Sequence, residues 1–266
     1  MGESSLERKL SKPIFIFGCC NSGTTILWQT LKQYLGLSGP AIEGQDLKSL
    51  PDSMRHYLGN STFRLWAHPR FELCYYRAEQ DYNEDDKERI TSIFLSHLKP
   101  DTRFITKSPA DTLRARLIQA YFPDAYFLAI VRNGYAVSEG VVRKRNFDPD
   151  RPQFAGLHTT IEEAALQWLY SNIVILSHKD FLRRYKIILY EDLVAHPRDT
   201  LKSVLEFLEL ESNGSSIPTF ETTLNAQQIA RLKGDEIKTI TRIAKPLLIH
   251  FGYDVPKKDQ IDLDST

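Results

Sequence analysis

Short, wholly apolar runs alternate along this chain with longer stretches whose apolar residues recur three to four positions apart. Ile14-Phe15-Ile16-Phe17 is such a run and reads as a strand buried on both faces. After a glycine-bearing loop, Ile26, Leu27, Leu31, Tyr34 and Leu35 follow with helical spacing, and Gly36 and Gly39-Pro40 close that segment. Further strands are expected at Phe104–Thr106, at Tyr126–Val131, which is almost entirely apolar, and at Lys186–Leu189. Helices are expected over Asp111–Tyr121, from Thr159 onward, over Thr200–Leu210 and over Gly234–Ile249. Thr159 and Glu162 have capping-box spacing, and Ala165, Trp168, Leu169 and Ile173 offer an apolar face. Strands alternating with helices predict an α/β fold, a central parallel sheet flanked by helices. The 1–266 span reads as a single domain with a mostly helical insertion at about 40–100, in which Asp81–Asp86 is expected to be solvated surface.

Composition narrows the function classes. Basic and acidic residues balance at 34 each, so no broad field favours nucleic acid or a membrane surface. The opening MGESSLERKLSK has no apolar core for a signal peptide, and no run is long enough to span a bilayer. The three cysteines, at 19, 20 and 74, form no disulfide framework and fit a reducing compartment. A cytoplasmic protein is expected. Adjacent Cys19 and Cys20 read as small residues in a tight loop, with a redox or metal pair as the alternative.

The candidate chemistry lies in that first loop and at the strand ends. Gly18-x-x-x-x-Gly23 has the spacing of a Walker A loop, in strand–loop–helix context, but Thr24 stands where the lysine that reaches the β/γ-phosphates belongs. Backbone N–H groups at the helix start, with Ser22, Thr24 and Thr25, still suit an anion. No strand ends in an Asp that would hold Mg²⁺, so a single 5′-phosphoryl-type group fits better than ATP. Lys107, Arg132 and Tyr190 end the other three strands, where ligands of parallel sheets sit.

Taken together, "PIFIFGCCNSGTTIL", "FPDAYFLAIVRNGYAVSEG", "IILYEDLVAHPRDTLKSVLEFLEL" and "LLIHFGYD" resemble, in order, segments of the sulfotransferases that use 3′-phosphoadenosine-5′-phosphosulfate (PAPS). The motifs are most similar to the protein-tyrosine-sulfotransferase-like branch. The resemblance implies a P-loop-like sulfotransferase fold and a product nucleotide, 3′-phosphoadenosine-5′-phosphate (PAP), with no metal required. It implies that Ser22, Gly23, Thr24 and Thr25 hold the 5′-phosphosulfate, with Asn21 where many relatives carry Arg or Lys. It implies that Arg132 grips the 3′-phosphate and that Tyr190 contacts adenine. Relatives commonly place a second 3′-phosphate ligand, a Ser, where Gly140 stands here; Ser138, Arg143, Lys144 and Arg145 are the candidates to replace it. "LNAQQIARLKGDEI" resembles a segment that closes over the cofactor and puts Arg231 near a basic position.

For chemistry, the resemblance makes Lys107 the cation for the leaving oxygens and Glu43, in "AIEGQDL", the general base. The His that follows the matching Lys in cytosolic relatives is Pro109 here, and Asp111 and His68 are alternative bases. The expected acceptor is a hydroxyl or amine of a small molecule, with Trp66, Phe71, Tyr75 and Tyr76 as candidate pocket residues; no nucleic-acid or membrane partner is expected, and the oligomeric state is open. Two other readings stand beside this one: a metal-dependent kinase or nucleoside triphosphatase, and a noncatalytic nucleotide-binding domain.

Overall fold

A computed structural model describes residues 10–54, 76–146, 159–212 and 214–256. Its centre is a four-stranded parallel sheet in the order β2-β1-β3-β4, formed by β1 (Ile14–Phe17), β2 (Ile105–Lys107), β3 (Tyr126–Val131) and β4 (Tyr185–Leu189). The register pairs Ile14 with Ile105 on one side and with Tyr126 on the other, and Phe127 with Tyr185. Every residue of β1 and β3 is buried, as expected of apolar runs in a covered parallel sheet, whereas β4 at the edge is mostly half-buried.

Helices cover both faces: α1 (Thr24–Leu35), α2 (Glu84–Ser96), α3 (Ala115–Tyr121), α4 (Gly134–Asn146), α5 (Ile161–Ser177), α6 (Tyr190–Ala195), α7 (Pro197–Leu208), α8 (Leu224–Ile229) and α9 (Gly234–His250). On one face Phe15 and Phe17 pack with Phe94, Phe122 and Phe127, the Phe15 and Phe127 rings stacked at 5.7 Å. On the other, Ile14, Ile16 and Leu128 pack against Leu27 and Leu31 of α1 and Leu201 and Val204 of α7. Full burial of such side chains contributes about 1.5–3 kcal/mol each, so the two layers hold the strand ends rigidly in register.

Several boundaries differ from expectation. The capping box of α5 is Thr160 with Glu163, not Thr159 with Glu162; Thr160 Oγ1 accepts from the Glu163 N–H at 3.1 Å and the Thr160 N–H donates to Glu163 Oε2 at 3.0 Å. The doubled Thr-Thr and Glu-Glu allow either register. Ile173 is 45% exposed, because the buried stripe of α5 runs through Ala164, Ala165, Trp168, Asn172 and Ile175. The segment from Asp111 to Tyr121 is interrupted at Arg114, which leaves a 3₁₀ turn at Pro109–Leu113 before α3. Buried Arg114 there pairs with Asp111 at 2.9 Å and also donates to the Met54 carbonyl. Helix α7 begins at Pro197, whose fixed φ suits a first helical position, and ends at Leu208 rather than Leu210. The acidic stretch expected to be solvated surface is largely exposed, and it also begins α2: Asn83 caps that helix by accepting from the Asp86 N–H, and acidic residues fill its first turn.

One buried group makes the fold acid-sensitive. His178 Nε2 donates to the Thr112 carbonyl at 2.7 Å, and its Nδ1 is buried without a partner. Burial lowers its pKa from 6.5 to about 4. Between those values the unfolded chain binds the extra proton and the folded chain does not, so stability falls as pH drops from 6.5 to 4, by about 2–3 kcal/mol. Burial raises the Asp111 pKa, which acts with the opposite sign, so the comparison with a His178→Phe variant isolates the histidine. Denaturant titrations across this range should show a shallower pH slope for the variant; identical slopes would refute the assignment.

Candidate active site

Because the four strands are parallel, their carboxyl ends lie along one edge of the sheet. A cleft of about 620 Å³ opens there, between the loop after β1, the segment before Leu47, the end of β3 and α8. The loop earns its shape from two left-handed residues, Asn21 (φ 62°) and Gly23 (φ 97°). A Cβ at Gly23 would also lie 2.5 Å from the Tyr190 ring, so glycine is required on both counts. Tyr190 is thus a buried floor beneath the loop, and its ring carries the Arg132 guanidinium at 4.2 Å.

The expected loop residues divide by exposure. Asn21, Gly23, Thr24 and Thr25 line the cleft. Ser22 lies beneath it, with its hydroxyl buried and without a partner, as is the Asn21 amide nitrogen. Helix α1 starts here, and its first N–H groups have no acceptor inside the helix.

Glu43 and Lys107 meet, although they come from different segments. The short turn Gly44–Asp46 lies against β2 so closely that a Cβ at Gly44 would be 2.6 Å from Thr106 Oγ1. This contact brings the Glu43 carboxylate onto the Lys107 ammonium as an ion pair. Lys107 is 2% exposed and lies behind Glu43, 5.7 Å from the centre of the Trp28 ring. Glu43 lines the cleft and retains 33% side-chain exposure. Gln45 braces the pair: its Nε2 donates to Glu43 Oε2 at 2.8 Å, and its Oε1 accepts from Ser108 Oγ at 3.1 Å and from the Ala110 N–H at 3.3 Å.

The other candidate bases sit elsewhere. Asp111 is spent on Arg114, and burial is the largest cause of its raised pKa. His68, Trp66, Phe71 and Tyr75 lie outside the described residues. Tyr76 packs beside Ala110, Leu113 and Val174 and is not a cleft-lining residue.

Arg132 lines the cleft nearly buried, and burial, the largest influence on it, lowers its pKa. Its donors reach the Asn225 Oδ1 (2.7 Å), the Asn21 carbonyl (2.9 Å) and Gln228 Oε1. Arg143 and Lys144 also line the cleft, while Ser138 is buried elsewhere with an unpartnered hydroxyl. Arg231 points to Glu139 at 3.5 Å rather than into the cleft. At Gly140, a Cβ would be 2.7 Å from Gln228 Nε2 and 3.5 Å from the Asn21 amide. Gln45, Glu139, Glu191, Asn225 and Gln228 were not anticipated. For α8 the available signal was the Asn225/Gln228 spacing, which puts two amides on one helical face.

Among the described residues, no helix is long and apolar enough to cross a membrane. Comparison with known proteins gives one consistent answer. The model of the Sulfotransferase family matches residues 13–214. A protein-tyrosine sulfotransferase of Drosophila melanogaster is 22% identical over 91% of this chain and 51% of its own length. The chain spans about half the length of the curated relatives it matches. The sulfotransferase domain from the curacin biosynthetic pathway superposes with a TM-score of 0.58 at 20% identity, covering 93% of this chain and all of that one. The sulfotransferase domain of the Synechococcus PCC 7002 olefin synthase superposes with a TM-score of 0.53 at 21% identity, over 94% and 98% of the two chains. The parallel sheet flanked by helices is therefore that of the P-loop-like sulfotransferase fold, and the chain belongs to the sulfotransferase family.

Proposed function

We propose that this cleft binds PAPS and transfers its sulfuryl group to a hydroxyl, or amine, of a small-molecule acceptor. The observation that carries this reading is the juxtaposition, at one end of the sheet, of an anion-type loop with the Glu43–Lys107 pair. The donor set fits the nucleotide: Thr24, Thr25 and the start of α1 offer hydroxyl and N–H donors, and the buried Asn21 nitrogen and Ser22 hydroxyl are unpartnered polar atoms at the same loop. Arg132 would hold the 3′-phosphate and Tyr190 would support the adenine side. Bound there, PAPS supplies an activated sulfuryl group.

The chain's own residues supply the rest. The loop fixes the donor against α1, and Arg132 fixes its far end, which sets orientation. Lys107 provides a preorganised positive charge in a site withdrawn from water. Glu43, whose side chain lines the cleft, takes the acceptor proton. Gln45 keeps that carboxylate from rotating away. Single-domain organisation over residues 1–266, with the substrate-side insertion at about 40–100, and a cytoplasmic location belong to the same proposal.

Calorimetry without Mg²⁺ tests the donor. PAP should bind more tightly than adenosine 5′-phosphate (AMP), and Arg132→Ala should weaken PAP by roughly 1.5–3 kcal/mol, the scale of a charge-assisted contact. Equal affinities for PAP and AMP would overturn the reading. Binding that requires Mg²⁺ would favour the kinase or triphosphatase alternative, and binding without turnover across a broad acceptor panel would favour the noncatalytic one.

A further inference from the structure

Two carboxylates reach the Arg132 guanidinium through interposed amides rather than directly. Arg132 Nε donates to Asn225 Oδ1 at 2.7 Å, and Asn225 Nδ2 donates in turn to Glu191 Oε1 at 2.6 Å. On the other edge Arg132 Nη2 donates to Gln228 Oε1, and Gln228 Nε2 donates to Glu139 Oε2 at 3.0 Å. Both amides come from α8, three residues apart and therefore on one face. Both carboxylates are themselves anchored: Glu191 accepts from the Asn133 N–H and from the Tyr253 hydroxyl, and nearly buried Glu139 accepts from Arg143.

We propose that Asn225 and Gln228 are positioning residues that set the nucleotide specificity of the cleft, by aiming Arg132 at a 3′-phosphate while leaving its charge unneutralised. The proposal rests on the donor reading above. A carboxylate placed directly on a guanidinium makes a bidentate, charge-assisted pair, which competes with phosphate for the same fork. A buried guanidinium with no partner would instead carry an uncompensated desolvation cost. An amide oxygen avoids both. It satisfies the N–H donors, holds the plane of the group, and is a weaker acceptor than a phosphate dianion. The carboxylate behind each amide polarises it and favours the cation at one remove. In the same direction, Glu191 and Glu139 partly offset the effect of burial on Arg132. The Asn21 carbonyl and the Tyr190 ring complete the cradle, so the guanidinium has a defined orientation before any ligand arrives.

The test compares PAP with AMP by calorimetry, because AMP lacks the group that Arg132 would read. In Asn225→Ala and Gln228→Ala the preference for PAP over AMP should fall at least about tenfold, with AMP affinity within twofold of the wild type. In Gln228→Glu, which sets a carboxylate on the guanidinium, the preference should fall further than in Gln228→Ala. In steady-state assays the loss should appear in KM for PAPS and leave kcat within about twofold. Equal weakening of both nucleotides would mean a general structural role and overturn the proposal. So would an unchanged preference in the Ala variants, or a Gln228→Glu variant that prefers PAP as strongly as the wild type. Gln228 is buried, so half-buried Asn225 keeps the test decisive if the Gln228 variants fail to fold. A wild-type protein that does not distinguish PAP from AMP removes the donor reading, and the relay with it; a wild type that does, with variants that also do, removes the relay alone.

Discussion

Lys107→Ala should lower kcat by about 10²–10³ while changing donor affinity far less, since stabilising a developing anion from a preorganised site is commonly worth that much. The ammonium is 2% exposed, sits at the end of a buried strand and is held by Glu43 and the Trp28 ring. Its cost of burial is already met in the resting protein, so it needs no reorganisation during reaction. Asn21 adds no charge at the loop, which leaves Lys107 without a neighbouring substitute there. Single-turnover rates set beside PAP affinity give the measurement. Normal turnover would remove Lys107 from the chemistry, and a loss confined to affinity would make it a donor-binding residue instead.

Glu43→Gln should bind the donor normally and slow single turnover of an unactivated alcohol by at least about 10²-fold. Gln retains the size of Glu43 and one acceptor oxygen, which can take the bond of Lys107 or that of Gln45 but not both, and it loses basicity. A more acidic acceptor, already partly ionised, should recover part of the rate. If the substitution is tolerated and acceptor acidity has no influence, Glu43 is an orienting group. Because Glu43 and Lys107 touch, the effect of the double variant should fall well short of the product of the single effects. Asp111→Asn should act differently. It leaves buried Arg114 without its countercharge, so the loss should be in stability, about 3–5 kcal/mol for breaking a buried pair, and not in the acid–base profile.

The sheet was legible in the sequence because β1 and β3 are buried on both faces and carry no polar interruption. The ends of β2 and β4 were placed within a residue, and α9 was foreseen almost to its last turn. Capping residues were harder. In Thr159-Thr160 the cap could fall on either residue, and only tertiary packing decides which. Likewise Ile173 has the right spacing for a core face, yet the face is set by Trp168 and its neighbours. The Glu43–Lys107 contact joins residues 64 apart, which no local pattern reports. The side-chain partners of Arg132 come from α8, a helix of six residues whose Asn225/Gln228 spacing puts two amides on one face but names no target for them. Arg132 itself could be proposed from its strand end, but what steadies it could not.

Gly140 gives this arrangement an evolutionary corollary. The space that a side chain at 140 would fill is taken by the Gln228 amide, with the Asn21 amide beside it. A side chain at 140 would have to displace the end of Gln228, which is buried and held by Arg132, Glu139 and the Ala136 carbonyl, so serine at 140 and glutamine at 228 are expected to exclude each other. The two positions, distant in the chain, should be inherited as one character: lineages with serine at 140 should carry a shorter residue at 228, and a laboratory path between the two solutions should pass through 228 first. Introducing Gly140→Ser alone should be disruptive, while the same change made after Gln228→Ala should be tolerated.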